Sequence, residues 1–301
     1  MMNIEELLSQ IDEQIAVNGG WNIFYQGEDS SLRIADDTID LIKTTVQLNG
    51  PEVEFLINQL TEKALKEFYR VNQYYSFTEF HQLALRMIYY QLFYSIREMN
   101  GAFGKEKLES LMENHSRRLA NWLSGSNAFA WKMYSDGQKF VEPVPCFEYS
   151  AEMQMEILRI DPLWIKEPVL DIGCGSCGTL VNQLRSIGIE AYGFDRCAEN
   201  RSPFQKADWL DFEFEPQKWG TIISNQGFSN HFIHHHLRSD GDFISYSRKY
   251  VGILHSLTKG GSFHYAPGLP FIEQFLDPLN FDVVTYEVGS YRLSTAIVTR
   301  K

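Results

Sequence analysis

A strand that runs directly into a glycine-rich turn limits what this chain can fold into more than any other feature. Residues 169–178 read VLDIGCGSCG, a short apolar run followed by Gly173, Gly175 and Gly178. Glycines at such a turn let the backbone approach a ligand, and the free N–H groups at the start of the next helix can bind it. The pattern predicts a nucleotide-binding turn between a strand and a helix of a parallel sheet.

Two details distinguish this turn from the dinucleotide-binding fingerprint that its glycine spacing matches. Asp171 lies two residues before the first glycine, where a dinucleotide-binding fold usually has an apolar residue. Burial of its charge is costly unless a cation or a hydrogen-bond donor accompanies it. The last two predicted strands, residues 281–288 and 292–299, are joined by Gly289-Ser290, which predicts a hairpin and not a second nucleotide-binding half. A nicotinamide oxidoreductase is therefore the least favoured enzyme class.

The chain divides into two parts with different residue patterns. From Pro168 onward, short apolar runs alternate with helical stretches, which is typical of βαβ units. Residues 1–145 have helical periodicity, with a capping box predicted at Ser76 and Glu79 and a linker predicted over 124–145. We expect an α/β fold, a doubly wound seven-stranded mostly parallel sheet with an antiparallel C-terminal hairpin, preceded by an all-helical N-terminal domain. The expected domains are 1–145 and 146–301.

Composition excludes several classes of protein. The net charge of −12 argues against a nucleic-acid partner, because such binding depends on clustered lysine and arginine. No run approaches the ~18 apolar residues of a membrane span, and the first residues lack a signal-peptide pattern. Four cysteines are too few for a disulfide framework. We expect a cytoplasmic enzyme with a small-molecule substrate, no nucleic acid and no membrane partner; a homodimer remains open.

Several segments, in order and spacing, resemble one enzyme family. The matching segments are VLDIGCGSCG (169–178), AYGFD (191–195), KADWLDF (206–212), WGTIISNQGF (219–228) and LTKGGSF (257–263). Residues 149–301 thereby resemble the class I S-adenosylmethionine (SAM)-dependent methyltransferases. The resemblance implies a seven-stranded sheet whose last strand is antiparallel, with SAM as cofactor and S-adenosylhomocysteine as product.

The resemblance also implies roles for individual residues. Gly173 and Gly175 would pass under the methionine part of SAM, with Asp171 near its amino group. The remaining implied cofactor contacts are Asp195 to the ribose hydroxyls, Asp208 and the Trp209 backbone N–H beside the adenine, Arg196 packed on the adenine, and Asn225 after the fourth strand. Asp211 is an alternative to Asp208, because either side chain could face the pocket.

The segment after the fourth strand, residues 224–231, is where this family places groups on the acceptor side. The family's methylases of amino nitrogens in nucleic acid and protein have two prolines here, which Gln226 and Gly227 replace, so that substrate class is disfavoured. Asn225 and His231 are the predicted catalytic residues, with His231 as a candidate general base.

Six of the eight histidines fall between residues 231 and 264. At helical spacing His231, His234 and His235 share a face, which fits a metal site or a general base. No cysteine or carboxylate accompanies them, so we predict no metal. Tyr149, His231 and His264 are predicted to contact the acceptor.

The leading hypothesis is a methyltransferase acting on an O or N atom of a small, aromatic or natural-product-like acceptor. By analogy with small-molecule members of the family, the aromatic-rich helical half is predicted to be a lid over that acceptor. Two alternatives remain: a peptide or protein methyltransferase whose acidic helical half docks a basic segment, and a SAM-binding protein without turnover.

Overall fold

The structure is a computed structural model that describes residues 4–27, 32–35, 42, 48–99, 104–144, 148–289, 291 and 293–301. It divides the chain into two compact units, Met1–Cys146 (unit 1) and Phe147–Lys301 (unit 2). Each unit has its own hydrophobic core. The described part of the chain contains no helix that is both long enough and apolar enough to span a membrane.

Unit 1 is helical in the part that the structure describes. Its helices are α1 (Ile4–Val17), α2 (Gly50–Val71), α3 (Glu79–Glu98), α4 (Lys105–Ser126) and α5 (Ala128–Tyr134). Neighbouring helices pack through apolar faces, so that Ile11, Ile57, Leu85 and Leu123 are almost fully buried in one core.

Two details of unit 1 differ from the sequence prediction. The capping box at the start of α3 is formed by Thr78 and His81, not by Ser76 and Glu79, because the helix begins one half-turn later and the His81 ring accepts from the Thr78 backbone. The predicted linker is wrong in its first part: α4 continues to Ser126, and α5 follows at once. Phe129 and Tyr134 of α5 are buried in the core, which explains why this segment is a packed helix and not a linker.

Unit 2 contains one seven-stranded sheet. Its strands are β1 (Val169–Ile172), β2 (Ala191–Asp195), β3 (Phe204–Lys206), β4 (Trp219–Asn225), β5 (Leu257–Ala266), β6 (Phe281–Val288) and β7 (Leu293–Arg300). The order across the sheet is β3-β2-β1-β4-β5-β7-β6. Strands β1 to β5 pair in parallel, whereas β7 is antiparallel to both β5 and β6. The predicted fold class is confirmed.

Helices cover both faces of this sheet. They are α6 (Ala151–Leu158), α7 (Thr179–Ser186), α8 (Phe228–His236), α9 (Phe243–Ser256) and the short α10 (Pro270–Glu273). One face packs on apolar residues of α6 and α7, and the other on aromatic residues of α8 and α9.

The strand order determines where a ligand would bind. From β1 the chain winds outward through β2 to β3, then returns to place β4 on the other side of β1. Open α/β sheets bind ligands at the carboxyl ends of the strands, where the winding direction reverses. The ends of β1, β2 and β4 are therefore the edge to examine for a site.

Candidate functional site

The turn after β1 has a backbone that only glycine adopts easily. Gly173 has φ of +85°, and a Cβ atom there would lie 3.3 Å from Cζ3 of Trp209. At Gly178, with φ of +56°, a Cβ atom would lie 2.1 Å from Cε1 of Phe204. The turn therefore needs glycine both for its conformation and for the close packing around it.

Asp195, the last residue of β2, holds this turn in place. Its Oδ2 accepts a hydrogen bond from the Gly175 backbone N–H at 3.2 Å, and its Oδ1 accepts from the Cys197 N–H at 2.7 Å. Burial raises the pKa of the Asp195 carboxyl despite these two bonds. A carboxylate has about four accepting positions, so each oxygen can still accept from a ligand hydroxyl.

Asp171 on β1 is a buried carboxylate with an unmet need for a partner. Its side chain is 2% exposed, and its Oδ2 has no hydrogen-bond partner among the residues that the structure describes. Burial first, and the negative charge of Asp195 second, raise the pKa of Asp171 to about 8. A cationic group placed here would offset both the burial of the Asp171 charge and its repulsion from Asp195.

Asn225 is the last residue of β4, and the polar atoms of its side-chain amide are buried like the Asp171 carboxyl. Neither its Oδ1 nor its Nδ2 has a hydrogen-bond partner in the described ranges, although both atoms are buried. The next residue, Gln226, has φ of +55°, an uncommon conformation for a non-glycine residue, and its N–H donates to the Ala266 carbonyl at 2.8 Å. The bond fixes the direction in which the chain leaves β4.

Asp208 and Trp209 follow β3 and are the next residues predicted to contact the cofactor. Asp208 Oδ1 accepts from the Leu210 N–H at 2.9 Å, and burial raises the pKa of the Asp208 carboxyl. Trp209 donates its Nε1–H to the Tyr246 hydroxyl at 3.1 Å, which orients the indole beside Gly173. Sequence analysis missed Tyr246, because a tyrosine on an amphipathic helix normally indicates core packing.

Arg196 supplies the positive charge of this edge. Its guanidinium acts to lower the pKa of Asp195 and of Asp208, and it also lowers the pKa of His231. These three residues come from three different segments, so Arg196 is an electrostatic link between them.

His231 lies on α8 and is 2% exposed. Its ring packs edge-on against Trp209, with 4.6 Å between the ring centroids. Burial, followed by the charge of Arg196 and the neighbouring His235 and His234, lowers the pKa of His231 well below its usual value. The ring is therefore neutral at physiological pH.

The other histidines of α8 have packing and hydrogen-bonding partners of their own. His234 Nε2 lies 2.7 Å from Arg238 Nη1, and His235 Nδ1 accepts from the Asp242 N–H at 2.9 Å. His236 stacks on Phe271 with the ring centroids 3.9 Å apart. No group of three or more metal-ligating side chains occurs within the described ranges.

Two further residues predicted to contact the acceptor are His264 and Tyr149. His264 lies near the carboxyl end of β5, where its Nδ1 lies 2.9 Å from the Leu158 carbonyl oxygen and its Nε2 2.9 Å from Ser262 Oγ. Both ring nitrogens have partners within unit 2, and the acceptor contact of His264 stays a prediction. Tyr149 is half-buried just before α6.

Glu148 contacts the glycine turn and was not anticipated. Its Oε1 accepts from the Ser176 N–H at 3.0 Å and from Ser176 Oγ at 2.7 Å. Hydrogen bonds from the Cys177 thiol and from Ser176 lower the pKa of Glu148. No local pattern signals this contact, since Glu148 is distant from the turn in the sequence. Cys177 is exposed, whereas Cys174 packs against a hydrophobic core of unit 2.

No protein-family model matches the sequence, and a search of curated proteins found no match. Solved structures match about half of the chain. One, from Listeria monocytogenes, is described as a SAM-dependent methyltransferase; it is 15% identical, with 50% of this chain and 100% of that chain covered and a TM-score of 0.36.

Two further matches also cover about half of this chain at low sequence identity. The 1,6-didemethyltoxoflavin-N1-methyltransferase of Burkholderia thailandensis, with bound 1,6-didemethyltoxoflavin and S-adenosylhomocysteine, is 15% identical, covers 50% of this chain and 76% of its own, and has a TM-score of 0.35. A SAM-dependent methyltransferase of Methanosarcina mazei is 15% identical, with 46% and 93% covered and a TM-score of 0.31.

The sheet order, the antiparallel β7 and the glycine turn after β1 are observed directly in unit 2. Together they identify unit 2 as having the fold of the class I SAM-dependent methyltransferases.

Proposed function

We propose that unit 2 binds SAM at the carboxyl edge of β1, β2 and β4 and transfers its methyl group to an O or N atom of a small acceptor. The observation that carries this proposal is the buried Asp171 carboxylate, whose Oδ2 has no partner in the described ranges. A native fold rarely tolerates such a group without a reason. The ammonium group of an amino-acid ligand supplies both the charge and the donors that Asp171 needs.

Other residues at this edge of the sheet can bind the ribose and the adenine of the same SAM molecule. Asp195 can accept from the two hydroxyls of a ribose while it keeps its bonds to Gly175 and Cys197. Asp208 and Arg196 supply an acceptor and a planar cation for an adenine ring. The unpartnered amide of Asn225 can both donate and accept near the methyl group.

SAM supplies an electrophilic methyl group on a sulfonium, so the protein has little covalent chemistry to perform. Its task is to align nucleophile, methyl and sulfur, which contributes up to ~7 to 11 kcal/mol through orientation. Asn225, fixed by the backbone bond between Gln226 and Ala266, is suited to orient the acceptor. Removal of a proton from the acceptor contributes a further ~10² to 10⁴ in rate where it is needed.

His231 is proposed as the group that takes this proton. Its lowered pKa keeps the imidazole unprotonated, as a base must be, but the same burial and the Arg196 charge oppose the protonated form. An acceptor that ionises easily, such as a phenol or an acidic ring nitrogen, therefore suits His231 better than an aliphatic alcohol does.

The role of unit 1 in acceptor recognition is part of the same proposal. Unit 2 has its own sheet and cores, so residues 147–301 are expected to fold and bind SAM without unit 1. Loss of turnover on small acceptors in that truncated chain, with SAM affinity retained, would support a lid. Turnover equal to that of the full chain would remove the lid from the proposal.

The first experiment is calorimetric titration of the full chain with SAM, S-adenosylhomocysteine and NADH in parallel. We expect micromolar binding of the two sulfur nucleotides and none of NADH. Asp171→Asn should weaken SAM, whereas Asp282→Asn, an exposed residue paired with Lys301 at 2.8 Å, is the matched control. NADH binding, or equal SAM affinity in both variants, would contradict the assignment.

An acceptor screen then separates the remaining alternatives. Methyl transfer confined to basic peptides, with a Michaelis constant that rises steeply with salt, would indicate a peptide or protein methyltransferase. Tight S-adenosylhomocysteine binding without transfer to any acceptor would indicate a SAM-binding protein without turnover.

A further inference from the structure

Unit 1 contains an apolar cavity of about 210 Å³ within its own helices. Side chains of α1, α2, α3 and α4 line it, and most are aliphatic or aromatic, among them Ile57, Phe68, Tyr89 and Phe93. Well-packed protein interiors contain few voids larger than a water molecule. A cavity of ~150 Å³ with similar walls is large enough to bind benzene. This cavity therefore has room for one aromatic ring with a short substituent.

One wall of the cavity carries an unsatisfied polar atom. His115 on α4 is 5% exposed, and its Nδ1 has no hydrogen-bond partner in the part of the chain that the structure describes. Its ring packs against Tyr89 with 5.4 Å between the centroids. Burial and the nearby charge of Arg118 lower the pKa of His115 to about 4, so the ring is neutral. A neutral imidazole can donate or accept one further hydrogen bond.

His115 also lines a second, shallower pocket. A shallow groove between α3 and α4 shares three residues with the cavity, Leu92, Leu111 and His115. Because these three residues line both spaces, the groove and the cavity adjoin at His115. The groove is lined by two cations, Lys107 and Arg118, and by no carboxylate among its described lining residues. Inside the cavity, the carboxylate of Glu67 is paired with Arg70 at 2.6 Å.

We propose that unit 1 is a binding module for a small monocarboxylate with an apolar body. The body would occupy the cavity, and the carboxylate would lie at His115, where the cavity adjoins the groove, so that it accepts from His115 and faces Arg118 and Lys107. The cations of the groove and the apolar walls of the cavity would select an amphipathic anion over a neutral solute or a short acid. The site lies within unit 1, and the proposal does not depend on SAM binding by unit 2.

The test uses the full chain without SAM and three probes: phenylbutyrate, phenylbutanol and butyrate. Titration calorimetry and thermal unfolding are the readouts. We expect phenylbutyrate to bind and to raise the Tm, phenylbutanol to bind about tenfold more weakly, and butyrate not to bind. Absence of phenylbutyrate binding at millimolar concentration would overturn the proposal and leave the SAM assignment untouched.

A pair of alanines tests whether the ligand occupies the cavity. Ala64 on α2 lines it, whereas Ala130 on α5 is fully buried and does not. Ala64→Leu should fill the space, keep the Tm and weaken phenylbutyrate by tenfold or more. Ala130→Leu should lower the Tm, because it adds volume to a packed core. Unchanged phenylbutyrate affinity in Ala64→Leu would show that the ligand binds elsewhere.

Two further variants test the polar end. Arg118→Gln should weaken phenylbutyrate by about three- to tenfold and leave phenylbutanol unchanged, whereas Arg117→Gln is the control, since Arg117 pairs with Glu113 at 3.2 Å and does not line the groove. His115→Phe keeps the ring and removes Nδ1, so it should also weaken phenylbutyrate. Equal loss with Arg117→Gln and Arg118→Gln would contradict a specific carboxylate site.

Discussion

Asp171 on β1 and Asn225 on β4 lie on the same face of two adjacent parallel strands, and both carry buried polar atoms without a partner in the described ranges. Asp171 pairs in register with Ile223, and strand alternation places Asn225 on that face two residues further on. Neighbouring strands thus bring an unsatisfied carboxylate and an unsatisfied amide to the same edge. One polar, cationic ligand bound there, as proposed above, would provide partners for both residues.

Ligand-free protein should become less stable as the pH rises because of Asp171. Its pKa is about 8 in the folded protein against 3.8 in a free side chain, so the folded state holds a proton that the unfolded chain releases. Stability therefore falls from about pH 4 to about pH 8. Asp171→Asn should flatten this slope in urea unfolding measured at several pH values. Parallel curves for the two proteins would contradict the protonated Asp171.

SAM binding at neutral pH should release a proton from the protein. Asp171 is protonated in the ligand-free protein at pH 7, and an ammonium group beside it would favour the ionised form. Calorimetry in two buffers of different ionisation enthalpy should give about one proton released for the wild type. The release should disappear in Asp171→Asn; if it persists there, another group is responsible.

Asp195→Ala should weaken SAM by about 1.5 to 3 kcal/mol, the usual contribution of hydrogen bonds to a charged group. The variant also removes the acceptor for the Gly175 and Cys197 N–H groups, so part of the loss comes from the turn. Asp195→Asn, which keeps an acceptor oxygen, should lose less. Equilibrium titration measures both, and unchanged affinity in Asp195→Ala would exclude a ribose contact.

His231→Phe should lower kcat by about 10² to 10⁴ if His231 takes the proton, while SAM affinity stays the same. Phenylalanine is the informative replacement, because it keeps the ring that packs against Trp209. His231→Ala would add a cavity and confound the result. Normal turnover in His231→Phe would remove the residue from the mechanism and leave Asn225 as an orienting group.

The carboxyl edge of β1 and β2 was largely predictable from the sequence because its parts are local. The order of strand, glycine turn and helix at residues 169–186 follows from short-range pattern, and so does the position of Asp195 at the end of the next strand. The strand predicted at 281–288 has the same bounds in the structure. The roles of these residues towards SAM stay predictions until binding is measured.

Other features depend on contacts between distant segments and left no local signal. The sequence predicts that His264 contacts the acceptor, but the position of its Nδ1 beside the Leu158 carbonyl oxygen depends on how α6 packs on the sheet. The contact of Glu148 with Ser176 and the hydrogen bond between Trp209 and Tyr246 also join residues that are far apart in the sequence.

The sequence by itself determined the class of fold and the residues at the glycine turn, because period, turn chemistry and the order of elements are encoded in neighbouring residues. Only the tertiary structure decided which polar groups remained unsatisfied. Whether Asp171, Asn225 and His115 find partners depends on every element packed around them, and burial without a partner is a property of the folded chain alone.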